Sequence, residues 1–144
     1  MVAVELLGEL APEFADLPVR SHGAYQRDRL TARLAELRPT FIAVMSPWPE
    51  TYCYVVSEAW ANGVPVVVGP LGAPADRVRK HGGGVVAPSL DPADVIDTVV
   101  TIARDPARYA DLALQARPEN VRSVAAMAED HATLYADLTA RDGV

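Results

Sequence analysis

The run that decides the fold is residues 46–68: Ser46-Pro47-Trp48-Pro49-Glu50-Thr51-Tyr52-Cys53-Tyr54-Val55-Val56-Ser57-Glu58-Ala59-Trp60-Ala61-Asn62-Gly63-Val64-Pro65-Val66-Val67-Val68. Pro47 and Pro49 keep its opening out of regular structure. From Cys53 to Asn62, the spacing of Val55, Val56, Ala59 and Trp60 predicts a helix with one apolar face. Gly63 ends that helix and Pro65, just beyond, prevents its continuation. Val64 to Val68 is then a continuous apolar run, and Phe41 to Met45 (Phe-Ile-Ala-Val-Met) is another just before the loop. Runs of this kind suit strands buried on both faces of a parallel sheet. Strand, loop, helix and strand in this order predict a β-α-β crossover.

The same rhythm extends in both directions. Ala3 to Leu7 reads as a first strand ended by Gly8, Pro18 to His22 as a second ended by Gly23, and Gly84 to Ala87 as the last. Arg27 to Leu37 carries Leu30, Leu34 and Leu37 at helical spacing. Asp91 to Ala103 opens with an Asp cap and Pro92 in the first turn. Helical stretches follow near Pro106 to Ala116 and from Glu119 to Ala140. The predicted fold is α/β, a Rossmann-like parallel sheet of about five strands with helices on both faces, formed by residues 1–144 as one domain.

Composition narrows the function classes. Hydrophobic residues make up 50% of the 144-residue chain and charged ones 22%, which fits a packed domain and argues against disorder. The net charge of -6 and the lack of any basic stripe argue against nucleic-acid binding. Cys53, the sole cysteine, excludes an internal disulfide. Met1 to Glu5 has neither the basic nor the apolar region of a signal peptide, and Val64 to Val68 is too short to span a bilayer. A cytoplasmic protein is expected, with peripheral membrane contact left open.

Sheets of this type bind ligands beyond the carboxyl ends of their strands, which points to the loops after Leu7, His22, Met45 and Val68. A helix starting near Cys53 turns unpaired backbone N–H groups and its positive dipole end toward that crevice, a setting suited to a diphosphate. The charge contribution is about 0.3–1 kcal/mol when exposed and up to about 2 when partly buried, so other contacts must specify the ligand. Glu50 and Glu58, separated by seven residues, supply two carboxylates beside that tip. Carboxylates accept strong hydrogen bonds from hydroxyls, and sugars are rows of hydroxyls.

These residues resemble the signature of retaining GT-B glycosyltransferases of family 4: two glutamates seven residues apart, then Glu58-Ala59-Trp60-Ala61-Asn62-Gly63-Val64-Pro65-Val66-Val67. Gly72 to Val78 is similar to the family's Gly-Gly-x-x-Glu segment, with Ala73 and Asp76 as substitutions, and Gly82 to Val86 is similar to its glycine-rich entry to the last strand. Val19 to Tyr25 resembles the piece that flanks the nucleotide base. The likeness covers about residues 3–117. It implies the nucleotide-sugar-binding half of such an enzyme, with UDP-sugar or GDP-sugar as donor and no metal or other cofactor. Position by position, it implies that Glu58 holds the ribose hydroxyls and that Glu50 is the catalytic carboxylate, holding the donor sugar. Thr51 and the backbone amides of Tyr52, Cys53 and Tyr54 would face the sugar and phosphates, and His22, Gly23 and Tyr25 would flank the base.

The sequence departs from this pattern twice. Cys53 stands where the family has glycine, which narrows the donor's approach to the backbone. The likeness also begins one β-α unit late, without the Gly/Lys-rich loop that clamps the diphosphate; no Lys precedes Lys80, and Arg20 is the first Arg. In a 3-2-1-4-5-6 sheet the strand so displaced is the central one, to be supplied by Ala3 to Leu7 or by another polypeptide, either an N-terminal GT-B half or a second copy. The isolated chain is accordingly not expected to transfer sugar. A degenerate, non-catalytic binding or assembly module is the competing reading. A flavodoxin-like signalling domain is weaker, because no acidic cluster marks a phospho-acceptor site. Trp48 and Trp60 read as packing residues, Cys53 as a small semi-buried one, Asp76 and Arg77 as partners in local charge pairs, and Lys80 and His81 as complements to a helix dipole.

Overall fold

The computed structural model describes residues 2–141; of the predicted 1–144 domain, residues 1 and 142–144 lie outside that range. The chain runs β1 (Val4–Leu6), β2 (Val19–Ser21), α1 (Leu30–Leu37), β3 (Ile42–Val44), α2 (Tyr54–Ala61), β4 (Val66–Val68), α3 (Gly72–His81), β5 (Gly84–Val86), α4 (Pro92–Ala103), α5 (Pro106–Gln115) and α6 (Val124–Arg141). The predicted α/β class is present, with every strand pairing parallel.

The ladders divide into two sheets, β1-β2 and β3-β4-β5. Ile42, Ala43 and Val44 of β3 register with Val66, Val67 and Val68 of β4, which register in turn with Gly84, Val85 and Val86 of β5. β4 is the buried strand expected from its valine run: Val66, Val67 and Val68 are each 0% exposed. It has a neighbour on both edges, and α2 and α3 pack against it. β1 pairs only with β2 among the described residues and forms no ladder with β3, so Ala3 to Leu7 does not take the central place. Val4 is 50% exposed.

Trp60 organises the core from α2. It is fully buried with Val56, Ala59, Val66, Ala75 and Val78, and its indole N–H donates to the Gly83 carbonyl at 2.8 Å. Gly83 has φ +68, and a Cβ there would lie 2.7 Å from the Trp60 indole nitrogen, so glycine answers both a backbone and a packing need. Trp60 therefore packs as expected, whereas Trp48 does not: it is 64% exposed on the loop before α2. The buried face of α2 is Val56, Ser57, Ala59 and Trp60, and Val55 turns outward at 41% exposure.

Two helix starts differ from expectation. α1 begins at Leu30, after a 3-10 turn over Arg27–Arg29, rather than at Arg27, and α6 begins at Val124 rather than at Glu119. Pro118–Asn120 forms a separate 3-10 turn packed against α2, and Val121 packs on the core, so local helicity yields there to tertiary contact. The Asp91 cap is realised, its carboxylate accepting from the Ala93 N–H at 2.8 Å. Among the described residues no helix is long and apolar enough to cross a membrane.

Candidate functional site

The predicted donor segment is built around a backbone that its sequence disfavours. Cys53, immediately before α2, has φ 66 and ψ 92, a left-sided conformation that L side chains rarely adopt. A glycine at this position would meet that backbone requirement without strain. Such a strained residue persists when its surroundings over-determine it, and here Arg77 does so. From α3 its guanidinium donates to the Tyr52 carbonyl at 3.1 Å, the Cys53 carbonyl at 2.9 Å and the Ser57 hydroxyl at 2.9 Å. It also stacks 4.6 Å from the Tyr52 ring centre and 5.1 Å from that of Trp60. Asp76 forms the expected local pair, with Arg79, but Arg77 is instead a clamp on the α2 entry.

Glu50 is held by both ends of its loop. Ser46 donates its hydroxyl proton to Glu50 Oε1, and the Glu50 carbonyl accepts from the Ala73 N–H at 2.9 Å. The loop presses onto Gly72, which has φ +66 and where a Cβ would lie 2.7 Å from the Glu50 nitrogen. The Cys53 thiol is buried close by. Burial raises its pKa, the Val56 backbone N–H lowers it, and the Glu50 carboxylate raises it further, so the thiol stays neutral rather than reactive. The N–H groups of Tyr52 and Cys53 donate to no backbone acceptor among the described residues. The Tyr52 and Tyr54 rings meet edge-on beside them, 5.2 Å apart.

Glu58, one turn into α2, is brought to the loop that follows β2. Its side chain is 17% exposed, and its Oε1 lies 3.1 Å from Arg27 Nε. Burial raises the Tyr25 pKa, the nearby Glu58 charge adds to this, and Arg27 opposes it. The Arg27 guanidinium also stands 5.7 Å over the Tyr54 ring. Gly23, with φ +70, turns the chain from β2 toward Tyr25, and a bridge to Gly8 together with the 2.8 Å bond from Ser21 Oγ to the Gly8 carbonyl fixes that turn. Glu58, Gly23, Tyr25 and the start of α2 are therefore assembled.

His22 and Thr51 are placed differently. His22 Nδ1 accepts from Arg33 at 3.0 Å, and its Nε2 bonds Glu5 at 2.7 Å, so both ring nitrogens are engaged within a Glu5–His22–Arg33 chain. Thr51 lies on an exposed bend. Two surface hollows lie away from this region: one of about 400 Å³ between Ala3–Glu5 and Leu17–Arg20, and one of about 240 Å³ beside α4. The segment from Ser46 to Glu58 exposes Trp48, Thr51, Tyr52 and Tyr54 around the α2 entry and buries Cys53, Val56 and Ser57. Sequence reasoning missed Arg27, Ser46 and the clamping role of Arg77, because each acts through contacts that spacing within its own element does not encode.

No protein-family model matches the chain, and no curated protein does. Among solved structures, sucrose-phosphate synthase (tll1590) from Thermosynechococcus elongatus aligns with a TM-score of 0.72 at 24% identity, covering 90% of this chain and 32% of that one. The fold is glycosyltransferase-like. The same glycosyltransferase-like fold matches Anabaena Alr3699/HepE in complex with UDP, at a TM-score of 0.66 and 20% identity, over 83% of this chain and 32% of that one. The complex of that protein with UDP-glucose gives a TM-score of 0.60 at 22% identity, over 73% and 28%. The chain spans about a third of the length of the solved proteins it matches.

Proposed function

We propose that this chain binds a nucleoside-diphosphate sugar as the donor-binding half of a retaining GT-B glycosyltransferase. The observation that carries the reading is Glu58, a largely covered carboxylate paired with Arg27 within the first turns of α2, whose entry leaves the N–H groups of Tyr52 and Cys53 without backbone partners. In support, the matched Anabaena protein was solved with UDP and with UDP-glucose.

In this reading Glu58 accepts the ribose hydroxyls, and Glu50, steadied by Ser46, accepts those of the donor sugar. The amides of Tyr52, Cys53 and Tyr54, beside Thr51, face the phosphates, while the His22–Tyr25 turn flanks the base. The chemistry asked of the chain is to orient the donor and to stabilise charge as the diphosphate departs, the role of preorganised N–H donors. No metal enters the scheme. Transfer requires an acceptor-binding half, supplied as an N-terminal GT-B lobe or by another polypeptide.

Calorimetric titration with UDP and GDP tests the reading. Glu58→Ala is expected to weaken binding about tenfold or more, a loss of ~1.4 kcal/mol. A non-catalytic assembly module is the second reading, favoured by the buried Cys53 side chain at a turn whose backbone suits glycine. Absence of binding to any nucleotide or nucleotide sugar selects it.

A further inference from the structure

Two guanidinium groups reach the entry of α2, and they are used differently. Arg77 is committed to two carbonyls and a hydroxyl, so its N–H donors hold protein rather than ligand. Arg27 is 73% exposed and sits on a short 3-10 turn (Arg27–Arg29), with its guanidinium over the ring of Tyr54, the first residue of α2. Its one ion-pair partner among the described residues is Glu58.

We propose that Arg27 is an exchangeable diphosphate-binding arm: it occupies Glu58 while the site is empty and passes to the phosphates when ribose hydroxyls take that carboxylate. The inference rests on the donor-binding reading above. A ribose diol that spans both Glu58 oxygens competes with Arg27 Nε for Oε1, so ligand entry favours release of the guanidinium. An ion pair with one partner this exposed contributes little, which makes the displacement cheap. A guanidinium offers a planar fork that matches phosphate oxygens, and its new position would lie at the end of α2 where N–H groups already favour an anion. The exchange keeps both the carboxylate and the cation satisfied before and after binding.

The arm makes nucleoside and nucleotide respond oppositely. Wild type and Arg27→Gln are titrated calorimetrically with uridine and UDP and with guanosine and GDP at one fixed salt concentration, with thermal melting to confirm folding. The expected result is a nucleoside affinity that holds or rises about threefold in Arg27→Gln, while the matching diphosphate weakens about tenfold or more. Arg27→Lys should recover part of the diphosphate binding but not all of it. Equal weakening of nucleoside and diphosphate overturns the proposal and leaves Arg27 as a support for Glu58. An unchanged diphosphate affinity overturns it as well. Wild type that binds none of the four ligands overturns the donor reading itself, an outcome distinct from either failure of the arm.

Discussion

Replacing Cys53 by glycine and, separately, by alanine isolates the strain at the entry to α2. Both variants remove the buried sulfur, so the loss of its contacts is common to the pair and cancels in their difference. Alanine keeps the Cβ at φ 66, and a Cβ on that side of the backbone map costs about 1–2 kcal/mol. Glycine relieves this but loses about 0.5–1 kcal/mol more conformational entropy on folding. The net expectation is that Cys53→Gly is more stable than Cys53→Ala by about 1 kcal/mol, or about 4 °C in melting temperature for a domain of this size. Urea unfolding followed by far-UV circular dichroism, with calorimetric melting as a second probe, measures the difference. Equal stability, or an alanine variant melting above the glycine one, refutes the claim that this turn is a glycine turn occupied by cysteine.

Further expectations follow from the same region. Arg77→Lys keeps the charge but loses the fork that reaches the Tyr52 and Cys53 carbonyls together, and should destabilise the fold by about 2 kcal/mol in urea denaturation. The Cys53 thiol and the Tyr25 phenol both have raised pKa values. Each contributes stability that is present in full below its ordinary value, 9.0 and 10.0 respectively, and is lost as pH rises through the folded value. Stability should therefore fall above about pH 9, and Cys53→Ala should remove the lower-pH part of that decline, read from urea midpoints across the alkaline range.

The sequence made the crossover legible because its signals were local. The Val66–Val68 run, the Gly63 stop and the Asp91 cap each depend on neighbours a few residues away, and each is found where expected. What escaped it was set at a distance. Glycine in the family pattern at position 53 read as a matter of bulk, because side-chain identity does not announce φ; only the backbone shows that the turn is left-sided. Arg77 read as a surface charge beside Asp76, yet it reaches carbonyls 24 and 25 residues earlier in the chain. The split of five strands into two ladders was likewise hidden, since a strand's own residues specify its faces more firmly than its edge partners. For the candidate site, the acids and the helix entry were readable from spacing, whereas Arg27 was found only when folding brought its loop against Glu58.

The unlike burial of the two tryptophans gives the molecule two optical probes in different surroundings. Trp60, dry and bonded to the Gly83 carbonyl, emits as an indole shielded from solvent and reports on whether α2 stays seated on the sheet. Trp48, standing in water two residues before Glu50, emits to the red and is open to collisional quenchers such as acrylamide. A quencher therefore dims the loop that leads into the candidate site while leaving the core signal lit, and events at that loop can be followed without a label.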